Sequence, residues 1–142
     1  MEDLVERLTR GNVTEVKVVL ATVVAALAIY QVMLAAVIYG RLRVPFLAPS
    51  ISAVTHRTIG DAVVVVALVV AFMCVAVYGF DTEESVFHVI VGSLLVVFLA
   101  LKVAAVKWWH GAGFVLPALG ITVFGLFALT WASSAGEFLG VT

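Results

Sequence analysis

The chain has 142 residues, 64% of them hydrophobic and only 12% charged, with a formal net charge of −1 and a mean hydropathy of +1.22. A soluble domain is closer to half apolar with a quarter of its residues charged, so a soluble domain of any size is excluded. Basic residues form no run outside the loops, which sets nucleic acid aside as a partner, and the single cysteine, Cys74, rules out an internal disulfide.

The apolar residues collect into four blocks, each near the roughly 20 residues a bilayer-spanning helix needs. The predicted fold class is therefore all-α: a polytopic membrane protein built as one four-transmembrane-helix bundle over residues 1–142, with a short N-terminal interfacial helix. That leading segment, residues 1–12, sets Leu4, Val5 and Leu8 among Glu2, Asp3, Glu6, Arg7 and Arg10, a helical spacing with one polar face. Glu2 and Asp3 are not the basic start of a secretory signal peptide. Gly11 ends the segment, and Asn12-Val13-Thr14-Glu15 reads as a capping box opening the first span.

The first span is expected over about residues 14–39, with Ala21, Ala25, Ala28, Ala35 and Ala36 for close helix contact and Gln31 for an interhelical hydrogen bond. Gly40-Arg41-Leu42-Arg43 closes it, and Pro45 and Pro49 mark the loop. The second span is expected over about 51–80 and the third over about 84–106. The acidic turn Asp81-Thr82-Glu83-Glu84 between them suits the positive end of a helix dipole. Lys107-Trp108-Trp109-His110-Gly111 follows, its tryptophans fit for the headgroup level. The fourth span is expected over about 114–134, with Pro117 in its first turn and Gly120 and Gly125 leaving room for neighbours.

Loop charge predicts orientation. Arg41, Arg43 and Arg57 lie around the first loop, and Lys102, Lys107 and His110 around the third. The second loop is acidic. The positive-inside rule places the first and third loops in the cytoplasm of a cell-membrane protein, with both termini outside.

Ionisable groups inside a bilayer are costly and mark functional sites by default. The second span carries His56-Arg57-Thr58-Ile59-Gly60 near its start and Met73-Cys74 near its end. The third opens on His88-x-x-x-Gly92. At 1.5 Å per residue, Met73 and His88 each lie about 10 Å below the outer edge, and His56 lies about 25 Å further in. The groups therefore divide into an outer layer of Met73, Cys74 and His88 and an inner layer of His56, Lys102 and Lys107.

Imidazole and thioether on facing helices are the ligand pair of a high-potential haem. Met73 and His88 are accordingly the candidate metal ligands of a haem b, with Gly60 and Gly92 one turn beyond the two histidines and making room for a flat ring. Cys74 competes with Met73. It lies about 100° from it around the helix, with no cation in view to activate the thiol. His56, too deep to share one metal ion with His88, serves the inner layer, as the ligand of a second haem, a proton acceptor beside a quinone, or a cap on the bundle.

The order of motifs resembles a family of small four-helix bacterial and archaeal membrane proteins, which look like reduced relatives of the cytochrome b561 and ferric-reductase-like haem domains. The residues that carry it are Leu20-Ala21-Thr22, Tyr39-Gly40-Arg41, His56-Arg57-Thr58-x-Gly60, Cys74, Gly79-Phe80-Asp81-Thr82, His88-x-x-x-Gly92, Lys102 and Leu116-Pro117-x-x-Gly120. That family's pattern has a histidine before the cysteine of the second span, where this chain has Met73. It also has a proline in that span, where the region of Val69 has none. The resemblance thus implies Met/His ligation here, or loss of the site.

The expected function is membrane electron transfer through haem b, exchanging electrons with a quinone. The alternatives are a non-catalytic subunit or anchor of a respiratory complex, and a small transporter or proton relay using His56, Lys102 and His110; the candidate partners are the lipid bilayer, a quinone, and respiratory-complex subunits or further copies of the chain in a homo-oligomer.

Overall fold

The computed structural model describes residues 10–79, 86–109, 112–136 and 138–140. The N-terminal interfacial helix expected over residues 1–12 falls almost wholly outside them, as do the acidic turn Asp81–Glu84 and His110. Four long α-helices make the fold: α1 (Val13–Ile38), α2 (Pro49–Tyr78), α3 (Val86–Trp108) and α4 (Leu116–Trp131). A short 3-10 turn, Ala112–Phe114, precedes α4, and a π-helical turn, Ala132–Gly136, continues it. Each is long and apolar enough to cross a membrane, α4 together with its π-helical turn. The molecule is an all-helical four-span membrane bundle.

The helix ends follow from local chemistry, with two departures from expectation. Arg10 (φ 53°) and Gly11 (φ 82°) turn the chain sharply into α1, a conformation glycine adopts freely. The capping box at Asn12 does not form. Asn12 sits at φ −98°, ψ 47°, with no side-chain cap hydrogen bond, away from the extended geometry that aims a cap oxygen at the first free N–H groups. Glu15, in the first turn, still faces the positive end of the dipole.

At the other end, Gly40 takes φ 68°. Its N–H bonds Val37 O at 3.0 Å, and Arg41 N–H bonds Ala36 O at 2.8 Å. That is a Schellman stop, and it gives Tyr39-Gly40-Arg41 a structural role. Pro49 is not a loop residue. It is the first residue of α2, behind an extended Ala48, where proline's missing N–H costs nothing.

Packing runs in the order α2, α1, α4, α3. α1 packs against both α2 and α4, α3 packs against α4, and α2 and α3 touch only sparingly. Two contacts fix the register of the first hairpin. Met73 packs on Val13, and Gln31 Nε2 donates to His56 O at 2.9 Å. These pairs place Asp61 opposite Ala25 and Ala26, the middle of α1. In the second hairpin His88 meets Ser133. Trp131 Nε1 donates to Thr22 Oγ1 at 3.2 Å and ties α4 to α1. Ala21 sits in a buried cluster with Val18, Ala135 and Trp131, a small residue admitting a neighbour. Gly120 and Gly125 do not serve that purpose, because a side-chain carbon added at either would meet open space.

Lipid tails are as apolar as the helix surfaces, so apolar contact alone does not drive assembly. Packing and interhelical hydrogen bonds do, each bond contributing about 0.6–2 kcal/mol.

Candidate functional site

The polar side chains within the spans fall at two levels. The first lies at the end of the bundle that holds the start of α1 and the end of α4. His88, in the first turn of α3, faces α4. Its Nδ1 lies 2.9 Å from Ser133 Oγ. Ser133 belongs to the π-helical turn, a local widening common at functional sites, and its hydroxyl also donates to Thr130 O at 3.2 Å. A serine has one hydroxyl hydrogen. In the arrangement that uses both bonds, His88 Nδ1–H donates to Ser133 and Nε2 keeps its lone pair. The Lys17 ammonium on α1 is close enough to act on both His88 and Cys74. Cys74, which lacked a cation neighbour in the sequence reading, therefore has one, supplied by the helix that α2 packs against.

The predicted ligands at this level keep different company. Met73 is buried against Val13, with Val16, Leu20, Ala76 and Val77 around it. Its contacts are with α1 and its own helix, whereas those of His88 are with α4. The two glycines also face partner helices. A side-chain carbon on Gly60 would lie 3.8 Å from Gln31 Nε2, and one on Gly92 would lie 3.9 Å from the Thr130 methyl. The space in front of each is held by a protein side chain at ordinary contact distance. Two clefts, of about 350 and 340 Å³, lie at the loop between α1 and α2 and at the first turns of α2. Neither is lined by Met73, His88, Gly60 or Gly92.

The second level, at the loop end, centres on His56. Its backbone carbonyl is engaged by Gln31, while its Nδ1 is buried and has no hydrogen-bond partner among the described residues. Ser52, one turn earlier, is fully buried and its hydroxyl is also unpartnered. The Lys102 ammonium on α3 is near enough to act on His56. Lys107 closes α3 at the same end, and Trp108 and Trp109 beside it are exposed.

The residues present fit a haem on one side. An imidazole that ligates metal through one nitrogen almost always has the other held by a hydrogen bond, and His88 with Ser133 has that form. The second ligand is not presented in the same way, because Met73 is turned into the α1 contact. Among the described residues, no group of three or more His, Cys, Asp or Glu side chains is placed to hold a metal ion.

Sequence reasoning missed four side chains. Ser133 was hidden in an ordinary serine pair, and Ser52 in a short polar opening to α2. Lys17 lies inside the first span, and its bearing on α2 and α3 depends on how the helices pack. Asp61, the acid directly after Gly60, was passed over although it falls at mid-span.

No curated protein and no solved structure matches the chain. Residues 5–141 match the model of the family of unknown function DUF6529, and the chain belongs to that family.

Proposed function

We propose that the chain is a haem b-type electron-transfer protein of the bilayer, with His88 supplying an iron ligand through Nε2. The observation that carries this reading is the His88 Nδ1 to Ser133 Oγ bond of 2.9 Å, which orients the ring and leaves the other nitrogen free. The haem would supply one-electron chemistry at this level, and the chain's part is to orient the imidazole and exclude water. The second ligand comes from the sulfur pair Met73-Cys74. The packing of Met73 into the Val13 contact favours Cys74, which shares Lys17 as a charge neighbour with His88. A quinone is the electron partner this reading proposes.

The test is a visible spectrum of the detergent-purified protein, expressed with ample haem and recorded oxidised and dithionite-reduced. A Soret band that shifts on reduction is expected, and no such band under haem-replete expression defeats the proposal. Met73→Leu and Cys74→Ala then identify the sulfur, since only the true ligand's loss changes the low-spin spectrum.

A second reading, proton transfer at the loop end, is favoured by the buried, unpartnered Ser52 Oγ and His56 Nδ1 beside Lys102. It requires proton flux in reconstituted vesicles that His56→Ala removes; flux unchanged by that substitution excludes it.

For orientation, we propose that the loop end faces the cytoplasm. Exposed Arg41, Arg43 and Lys107 gather at that end of the bundle. An Arg43→Cys variant on a Cys74→Ala background should resist an impermeant maleimide in intact cells, and labelling from outside would reverse the orientation.

A further inference from the structure

α2 carries a carboxylate where a bilayer tolerates it least. The register set by Val13 with Met73 and by Gln31 with His56 puts Asp61 opposite the middle of α1. Asp61 is exposed, and so is Arg57 one turn before it. Among the described residues, neither has an ion-pair or side-chain hydrogen-bond partner. A charged group at mid-bilayer faces protein or water in nearly every known case, because lipid tails offer nothing to replace its hydration. Headgroups do not reach this depth. Something outside this single chain covers Asp61.

The pattern around it indicates what does so. Thr58, Asp61, Val65, Leu68 and Phe72 are all exposed, and their spacing alternates three and four residues. That is the seam of a helix packing against another helix, with polar residues set into an apolar stripe. One polar group at such a position fixes register and oligomer state. Arg57 flanks the same stripe. A two-fold axis along the bilayer normal places identical residues of two copies at the same depth, with Arg57 one turn, about 6 Å, from the level of Asp61. The long Arg57 side chain of each copy then reaches the partner's Asp61. One symmetry operation neutralises both charges twice, the self-complementarity an isologous interface requires. α2 is free to do this because it is an end member of the packing order, in contact with α1 on one side and only sparingly with α3 on the other.

We infer that the exposed face of α2 is the interface of a parallel homodimer, held in register by reciprocal Arg57–Asp61 pairs. The inference stands independently of the haem reading.

The experiment uses the full chain in native membranes on a Cys74→Ala background. Val65→Cys, at the centre of the seam, is expected to give an oxidative cross-link at twice the chain mass. Val97→Cys, on the exposed face of α3, is the control expected to stay monomeric. Arg57→Asp and Asp61→Arg, each added to Val65→Cys, juxtapose like charges and should each lower the cross-linked fraction on the order of tenfold. The doubly exchanged chain, Arg57→Asp with Asp61→Arg, should restore it. The two single variants, differently tagged and co-expressed, should cross-link to each other in preference to themselves. No Val65→Cys dimer, a Val97→Cys cross-link of equal strength, a cross-link to a different protein, or a doubly exchanged chain that is folded but monomeric would each overturn the inference. If the single variants fail to fold, the doubly exchanged chain alone decides, because its charges are the same in number and again complementary.

Discussion

The two histidines of the spans, His56 two turns into α2 and His88 in the first turn of α3, are held in opposite ways. His88 is gripped by its ring: Ser133 takes Nδ1, and the π-helical turn supplies that serine. His56 is gripped by its backbone: Gln31 takes the carbonyl, and the ring nitrogen Nδ1 has no partner. Each is followed four residues later by a glycine against the partner helix, Gln31 in one hairpin and Thr130 in the other. At neither glycine does the partner helix come closer than an alanine would allow, and the shared His-x-x-x-Gly pattern does not distinguish an oriented imidazole from an unoriented one. The residue across the interface does.

That contrast can be broken most strongly at the ring contact. Replacing His88 with alanine should abolish the haem band, while His56→Ala should leave it in place. Haem retained in the first variant, or lost in both, would erase the distinction. Ser133→Ala is expected to weaken cofactor affinity about 10- to 100-fold, the usual cost of losing the group that orients a ligating histidine. Haem titration of the purified protein measures it, and wild-type affinity would show that the bond does not orient the ring. Gln31→Leu acts on the other hairpin. It should lower stability by about 1 kcal/mol, the loss of one interhelical hydrogen bond, with an unchanged spectrum. Denaturant titration in mixed micelles separates the two readouts. The smallest effect is expected at Ser52. Its hydroxyl is buried without a partner, so Ser52→Ala should leave stability unchanged or raise it by about 1 kcal/mol. A clear loss in the same titration would mean that Ser52 Oγ has a partner in the membrane.

Much of the architecture was legible because membrane physics is severe. Four apolar blocks of spanning length leave few folds to choose from, and Gly40 closes α1 by the motif expected of a glycine there. Depth is also linear in residue number, so the neighbourhood of His56 and Lys102 could be counted out along the chain. The side each helix presents could not. Met73 and Cys74 differ by about 100° around α2, and only the order α2, α1, α4, α3 turns Met73 onto Val13 and brings Lys17 near Cys74. The same order explains why Ser133, and not a residue of α2, meets His88. Asn12 shows the limit at a helix end, where a correct cap sequence is defeated by one backbone angle. Asp61 was readable in principle, as an acid at mid-span, but it sits next to a motif that drew attention to its other side.

The central claim is that His88 binds haem iron through the nitrogen that Ser133 leaves free. It is tested most directly by pulsed electron paramagnetic resonance on the oxidised, haem-loaded protein carrying 15N-labelled histidine. The account predicts hyperfine coupling from one imidazole nitrogen, lost in His88→Ala and kept in His56→Ala. Coupling that survives in His88→Ala, or that vanishes only in His56→Ala, would contradict it.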